Sequence, residues 1–220
     1  MKKTVLIIQS GAMGDIFIVA PIARAYFLRG YMVYWPVREQ FFDFVSEYLP
    51  YVNALCVDDK HFPKRNDDWL RSDTMHLTDI SSRGHYDLVL NLADRGAVSM
   101  ERPGETFEET KYRQVDIPFS MKHHFFWNRN KEKENDLIAY IEEVHNINIK
   151  KDEYVIAHLE SSHGDRAKIP EGIFNYPIIE ITKIRDFEIV DWYPIICRAM
   201  AIFCVESAVH QFIDGCIHRL

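Results

Sequence analysis

No run of about 18 apolar residues occurs anywhere in the 220-residue chain, so no membrane-spanning helix is expected. The short apolar stretch near the start ends at Gln9-Ser10-Gly11, earlier than a secretory signal would, and the expected location is the cytoplasm. Cysteine is scarce: Cys56, Cys197, Cys204 and Cys216 form no C-x-x-C pair, which leaves buried free thiols in a reducing compartment as the expectation. No two histidines stand at H-x-x-x-H spacing, and the adjacent His123 and His124 would point apart on a strand, so no metal site is expected. No G-x-S-x-G elbow occurs, which leaves Ser-His-Asp catalysis unsupported. Positive charge is also short, with 26 Lys and Arg against 33 Asp and Glu and a net charge of -7; proteins that coat DNA are usually basic overall.

What is present is enough for a core. Hydrophobic residues make up 47% and aromatics 13%, which excludes global disorder, and the length suits one domain or two small ones. Val5 to Ile8 is a continuous, largely β-branched run that reads as a central parallel strand. A helix follows over Ile16 to Leu28 with Gly30 as its stop and Pro21 in its first turn or at a kink. Further elements are expected as a strand at Tyr31–Trp35, a helix at Arg38–Tyr48 (Phe41, Phe42, Val45 and Leu49 inward) and strands at Ala54–Val57 and Asp87–Leu92. This alternation predicts an open parallel α/β sheet with right-handed crossovers. Arg95 to Ser120 carries no assignable pattern. Glu132 to Val144 reads as an amphipathic helix preceded by a solvated charged face at Lys131–Glu134.

A second, compressed series begins at Tyr154–Leu159. It continues through a polar loop to strands near Ile178–Ile181 and Phe187–Val190, a helix at Trp192–Met200, a strand at Ile202–Val205 and a helix from Glu206 to Ile213. The boundary between the two series is expected at Asn146–Asp152, giving domains 1–148 and 149–220, the second reduced.

Ser10-Gly11-Ala-Met-Gly14-Asp15 follows the first strand. Glycines there let a ligand approach the backbone, and the helix start beyond favours an anion. Gln9 occupies the first position of a three-glycine dinucleotide fingerprint, which weakens a nicotinamide-cofactor reading. Asp15 would repel a pyrophosphate; it reads either as a helix N-cap or as a base that deprotonates an acceptor hydroxyl. Trp127 with Lys122, Arg129, Lys131 and Lys133 reads as a linker before a solvated helix or as a basic-aromatic nucleic-acid contact.

The segment Val5 to Ala25, with its strand, G-x-x-G-D turn and apolar Pro-containing helix, resembles the N-terminal motif of the ADP-heptose:lipopolysaccharide heptosyltransferase family. Tyr86 to Arg95 is similar to a later strand of that family with its polar loop. Ala157 to Pro170 resembles its phosphate-contacting loop, and Ile202 to His210 resembles its strand-turn-helix motif for the donor diphosphate. The resemblance implies a GT-B-like fold of two Rossmann-like domains facing each other, the C-terminal one reduced here. It implies a glycosyltransferase without a cofactor or metal, using a nucleotide-diphosphate sugar as donor and a hydroxyl of a glycan, or of a hydroxymethylated pyrimidine in DNA, as acceptor. Asp15 would be the base, with Gly11, Gly14 and Arg95 on the acceptor-side loop. Ser161, Ser162, Arg166, Lys168, Glu206, Ser207 and His210 would contact the donor, Glu206 through a phosphate-side helix start or a ribose hydroxyl. A nucleotide or nucleotide-sugar binding module without turnover is the competing expectation.

Overall fold

The computed structural model describes residues 2–9, 12–57, 84–92, 102–161, 164, 166–170, 172–184 and 186–216. They fall into two compact units, Met1–Asn128 and Arg129–Leu220.

In the first unit the order is β1 (Thr4–Ile8), α1 (Met13–Leu28), β2 (Met32–Arg38), α2 (Glu39–Tyr48), β3 (Val52–Val57), β4 (Leu88–Asn91) and α3 (Phe107–Gln114), then a 3-10 turn at Phe119–His123. The strands form one parallel sheet in the order β3-β2-β1-β4. β1 is central because Val5, Leu6, Ile7 and Ile8 are apolar on both faces and are all buried. The chain adds β2 and β3 on one side of β1 and returns to the other side for β4. That reversal creates a switch point beyond the carboxyl ends of β1 and β4, where open α/β sheets take their ligands. At the opposite end, Asp87 clamps Thr4. Its Oδ2 accepts from the Thr4 backbone N–H (2.7 Å) and hydroxyl (3.0 Å), and its own N–H donates to Thr4 Oγ1 (3.1 Å).

α1 is buried almost all round from Ile16 to Tyr26 and continues through Pro21, which lies in its middle rather than in its first turn. Gly30 ends it at φ +90, a conformation that costs glycine little. The inward stripe of α2 is Phe44, Val45, Tyr48 and Leu49, with Phe41 and Phe42 only half-buried, so the helix is rotated from the expected face. Phe17 fixes that choice by meeting Phe44 edge-on at 5.9 Å and Phe125 at 5.2 Å. α3 lies in the stretch that carried no assignable pattern. Its start is a capping box, in which the Glu109 N–H donates to Thr106 Oγ1 (3.2 Å) and the Thr106 N–H to Glu109 Oε2 (2.7 Å). It is tied to α1 where the Tyr112 hydroxyl donates to the Ile18 carbonyl (2.8 Å).

The second unit contains α4 (Lys131–His145), β5 (Val155–His158), β6 (Ile178–Glu180), a 3-10 turn at Ile189–Trp192, α5 (Tyr193–Ile196), β7 (Ala201–Cys204) and α6 (Ala208–Cys216). Its sheet is parallel in the order β6-β5-β7, so its switch point lies beyond β5 and β7. α4 groups with this unit, packing on the 3-10 turn and α5. The expected strand at Phe187–Val190 is instead the approach to that 3-10 turn. Asp191 Oδ2 accepts from the Glu188 N–H (2.9 Å), and Pro194 then opens α5, a geometry that an extended segment would break.

Two surface expectations are corrected. The basic-aromatic cluster is not a free surface: Trp127 is buried and stacked on Phe125 at 5.2 Å, and Lys122 is buried against Glu108. Arg129 donates to Glu134 through Nε (2.6 Å) and Nη2 (2.7 Å), and Lys131 joins the same carboxylate (3.1 Å). Trp127 therefore presents no aromatic platform to a base. Glu134 is buried, whereas Lys131 and Glu132 are exposed, so the charged start of α4 is a solvated face with one carboxylate turned inward to its ion pairs. The four cysteines are free thiols, but Cys56 is exposed on β3 and only Cys216 is buried. Among the described residues no helix is long and apolar enough to cross a membrane.

Candidate functional site

The first group of polar side chains gathers at the switch point of the first sheet. Gln9 leaves β1 with its backbone carbonyl accepting from Trp35 Nε1 (2.9 Å), which fixes the direction in which its side chain departs. Asp15 is the third residue of α1, not its N-cap, a position held by Ala12. Its Oδ2 accepts from the Ala12 N–H (3.2 Å), a favourable place for a carboxylate beside the positive end of a helix. Its Oδ1 accepts from Lys111 Nζ (2.9 Å), which also donates to Gln9 Oε1 (2.9 Å) and lies 4.3 Å from the ring centroid of Phe107. The Lys111 side chain is 2% exposed and that of Asp15 24%. The carboxylate is thus open to solvent on one side and anchored on the other. Each of its oxygens holds one donor and retains a lone pair for a ligand hydroxyl.

The second group lies at the switch point of the other sheet. His158 ends β5, and its carbonyl accepts from the Val205 N–H (3.0 Å). Its Nδ1 is 3.3 Å from Ser207 Oγ, so the contact bridges the ends of β5 and β7. Ser207 caps α6, accepting from the His210 N–H at 3.3 Å. Burial pushes the His158 imidazole below its ordinary value, while Glu180 and Glu160 pull it the other way. A neutral ring can take the Ser207 proton at Nδ1 and keep an Nε2–H donor. His210 Nδ1 is buried and has no hydrogen-bond partner among the described residues.

The residues expected from the sequence divide between these places. Asp15 and Gly14 lie at the first group; Gly11 and Arg95 are outside the described residues, as is Ser162. Ser207 and His210 lie at the second group, with Glu206 exposed just before α6. Ser161 is half-buried in the loop after β5, where its carbonyl accepts from the Gly164 N–H (3.0 Å). Lys168 is exposed. Arg166 is paired with Glu180 through Nη2 (2.7 Å), so one of the two cations expected at the donor is already engaged by a carboxylate. Lys111, Gln9 and His158 were not singled out as site residues from the sequence. His158 had a signal, its place at the end of a buried strand. Lys111 had only the Thr106–Glu109 capping box, which announces a helix but not what the helix carries. Among the described residues no group of three His, Cys, Asp or Glu side chains converges as a metal site would require.

No family model matches the sequence. No curated protein matches it either. In fold, the chain is similar to the crystal structure of a glycosyl transferase family 9 protein from Veillonella parvula DSM 2008. That match has 12% identity and a TM-score of 0.56, covering 97% of this chain and 78% of the other. A second similar structure is the ADP-heptose LPS heptosyltransferase II of E. coli, with 11% identity, a TM-score of 0.46, and coverage of 97% and 82%. The chain therefore has a parallel α/β fold like that of a family 9 glycosyl transferase.

Proposed function

We propose that the protein is a glycosyltransferase that moves a sugar from a nucleotide-diphosphate sugar to a hydroxyl acceptor, preferentially on a glycan. The observation that carries this reading is the Asp15 carboxylate, held by two donors, partly open, and set at a sheet switch point. The family 9 fold supports the reading. In the reaction the acceptor oxygen attacks the anomeric carbon and its proton passes to Asp15. The bond from that carbon to the diphosphate oxygen breaks, and a nucleoside diphosphate leaves. The second unit is proposed to bind the donor, with the start of α6, Ser207 and Lys168 meeting the diphosphate charge. No divalent cation is needed in this proposal, and unchanged turnover in excess EDTA is the expected result.

A thermal-shift titration with UDP, ADP, GDP, CMP and NAD tests the donor site. A native-state ligand at a hundredfold excess over its Kd stabilises by about 2.7 kcal/mol. One nucleoside diphosphate should shift the transition and NAD should not. Asp15→Asn should then lose turnover by about 100-fold or more while keeping donor affinity. One observation favours a second reading, a nucleotide-sugar binding module without turnover: Arg166 is engaged by Glu180. Donor binding with no product release from any donor and acceptor would select it.

A further inference from the structure

We infer that Lys111 is a positioning residue for the Asp15 carboxylate. This rests on the reading of Asp15 as the base. Lys111 stands 96 positions away in sequence and reaches Asp15 from α3, so the contact exists only in the folded unit. At 2% exposure its ammonium is closed off from a ligand, and its route to the open side of the site runs through the Asp15 carboxylate.

Three features fix it in one place. Gln9 Oε1 and Asp15 Oδ1 accept two of its protons, and the Phe107 ring lies against the head group. A lysine is otherwise a flexible stem with much rotamer freedom. With Oδ2 held by the Ala12 N–H, the second bond from Lys111 sets the rotation of the carboxylate plane. The plane decides which lone pairs face the open side of the site. Stability does not account for the lysine. A methionine at position 111 would fill the space and leave a carboxylate that is 24% exposed and still bonded to the Ala12 N–H, so little stability would be lost. What it would not do is hold the carboxylate in one orientation.

The test compares the full-length wild type with Lys111→Met, Asp15→Asn and the double variant. Each is assayed for release of nucleoside diphosphate from UDP-glucose, ADP-glucose or GDP-mannose with a free monosaccharide as acceptor. The expected result is a kcat for Lys111→Met lowered about 10- to 100-fold, with the donor KM changed less than about 2-fold, because misplacement of a reacting group by about 1 Å can cost as much. In the Asp15→Asn background, Lys111→Met should cost nothing more. Should Lys111→Met not fold, Lys111→Gln, which keeps a donor at that height, gives the same comparison with a smaller loss. An unchanged kcat overturns the inference while leaving the proposed function standing. So does an equal loss in both backgrounds, which would make Lys111 a merely structural residue. No release by the wild type from any of these donors overturns the proposed function and the inference together.

Discussion

Replacing Asp15 by Asn removes the carboxylate bonded, at 2.9 Å, to an ammonium that is 2% exposed. Breaking a buried ion pair from one side costs about 3–5 kcal/mol when the remaining charge has nothing left. Here the ammonium keeps Gln9 Oε1, the Phe107 ring and an amide oxygen from the new Asn, so about 2–3 kcal/mol is expected. The reverse change behaves differently. Lys111→Met leaves a carboxylate that is 24% exposed, still bonded to the Ala12 N–H and able to draw on water. Its expected cost is about 1 kcal/mol, chiefly the lost partner of Gln9. The double variant should therefore resemble Lys111→Met, with about 2 kcal/mol of coupling between the two positions. Thermal unfolding reads this directly. For a chain of this size about 1 kcal/mol moves Tm by about 2–4 °C, which places Asp15→Asn about 4–12 °C below the wild type. Equal destabilisation by the two single variants, or additive loss in the double, would refute the argument that burial of the ammonium sets the cost.

Three further outcomes are expected. Tyr154→Phe removes the hydroxyl that donates to the buried Ile195 carbonyl at 2.6 Å and should cost about 1–3 kcal/mol in urea unfolding. The hydrogen bonds from Arg113 hold the Glu105 carboxyl at about 2, against an ordinary 4.5. Carboxyl-carbon NMR should find its midpoint there and see it rise in Arg113→Leu, and the Glu105 contribution to stability should be present above pH 4.5 and fall away toward about 2. Because burial holds the His158 imidazole below 6.5, the unfolded chain binds the proton more readily. The contribution of His158 should therefore be complete above pH 6.5 and decline on acidification through it, and His158→Asn should flatten the stability–pH curve in that window.

The sheets were legible because each central strand is a run of apolar residues, Val5 to Ile8 and Val155 to Ala157, buried on both faces. Asp15 was legible because a G-x-x-G-D turn after such a strand falls at the sheet mouth. Lys111 was not, since α3 is a polar helix without an apolar stripe, and its buried lysine looks in sequence like any solvent-facing one. Lys122, Arg129 and Lys131 were misread for the same reason: their carboxylate partners, Glu108 and Glu134, are identified only by the fold. The face of α2 was missed because Phe41 to Phe44 offers aromatic residues on more than one side, and packing against Phe17 selects Phe44. In the second unit the Ile189-Val190 pair looks extended by composition, yet the Asp191 cap and Pro194 turn it into helix.

The Asp87 clamp on Thr4 lies at the far end of β1 from the candidate site, and its effect is nevertheless felt there. β1 is five residues long, and its pairing with β4 runs without a bulge from Val5–Leu88 to Ile8–Asn91. A strand that short behaves as a ruler with its zero mark fixed at Thr4. Sliding β1 by one residue would shift its tip by about 3.3 Å and turn each side chain to the opposite face. Gln9 would then leave Lys111, and α1 would begin in the wrong place for Asp15 to reach it. A substitution such as Asp87→Ala, on the rim opposite the site, is in this sense a change in calibration.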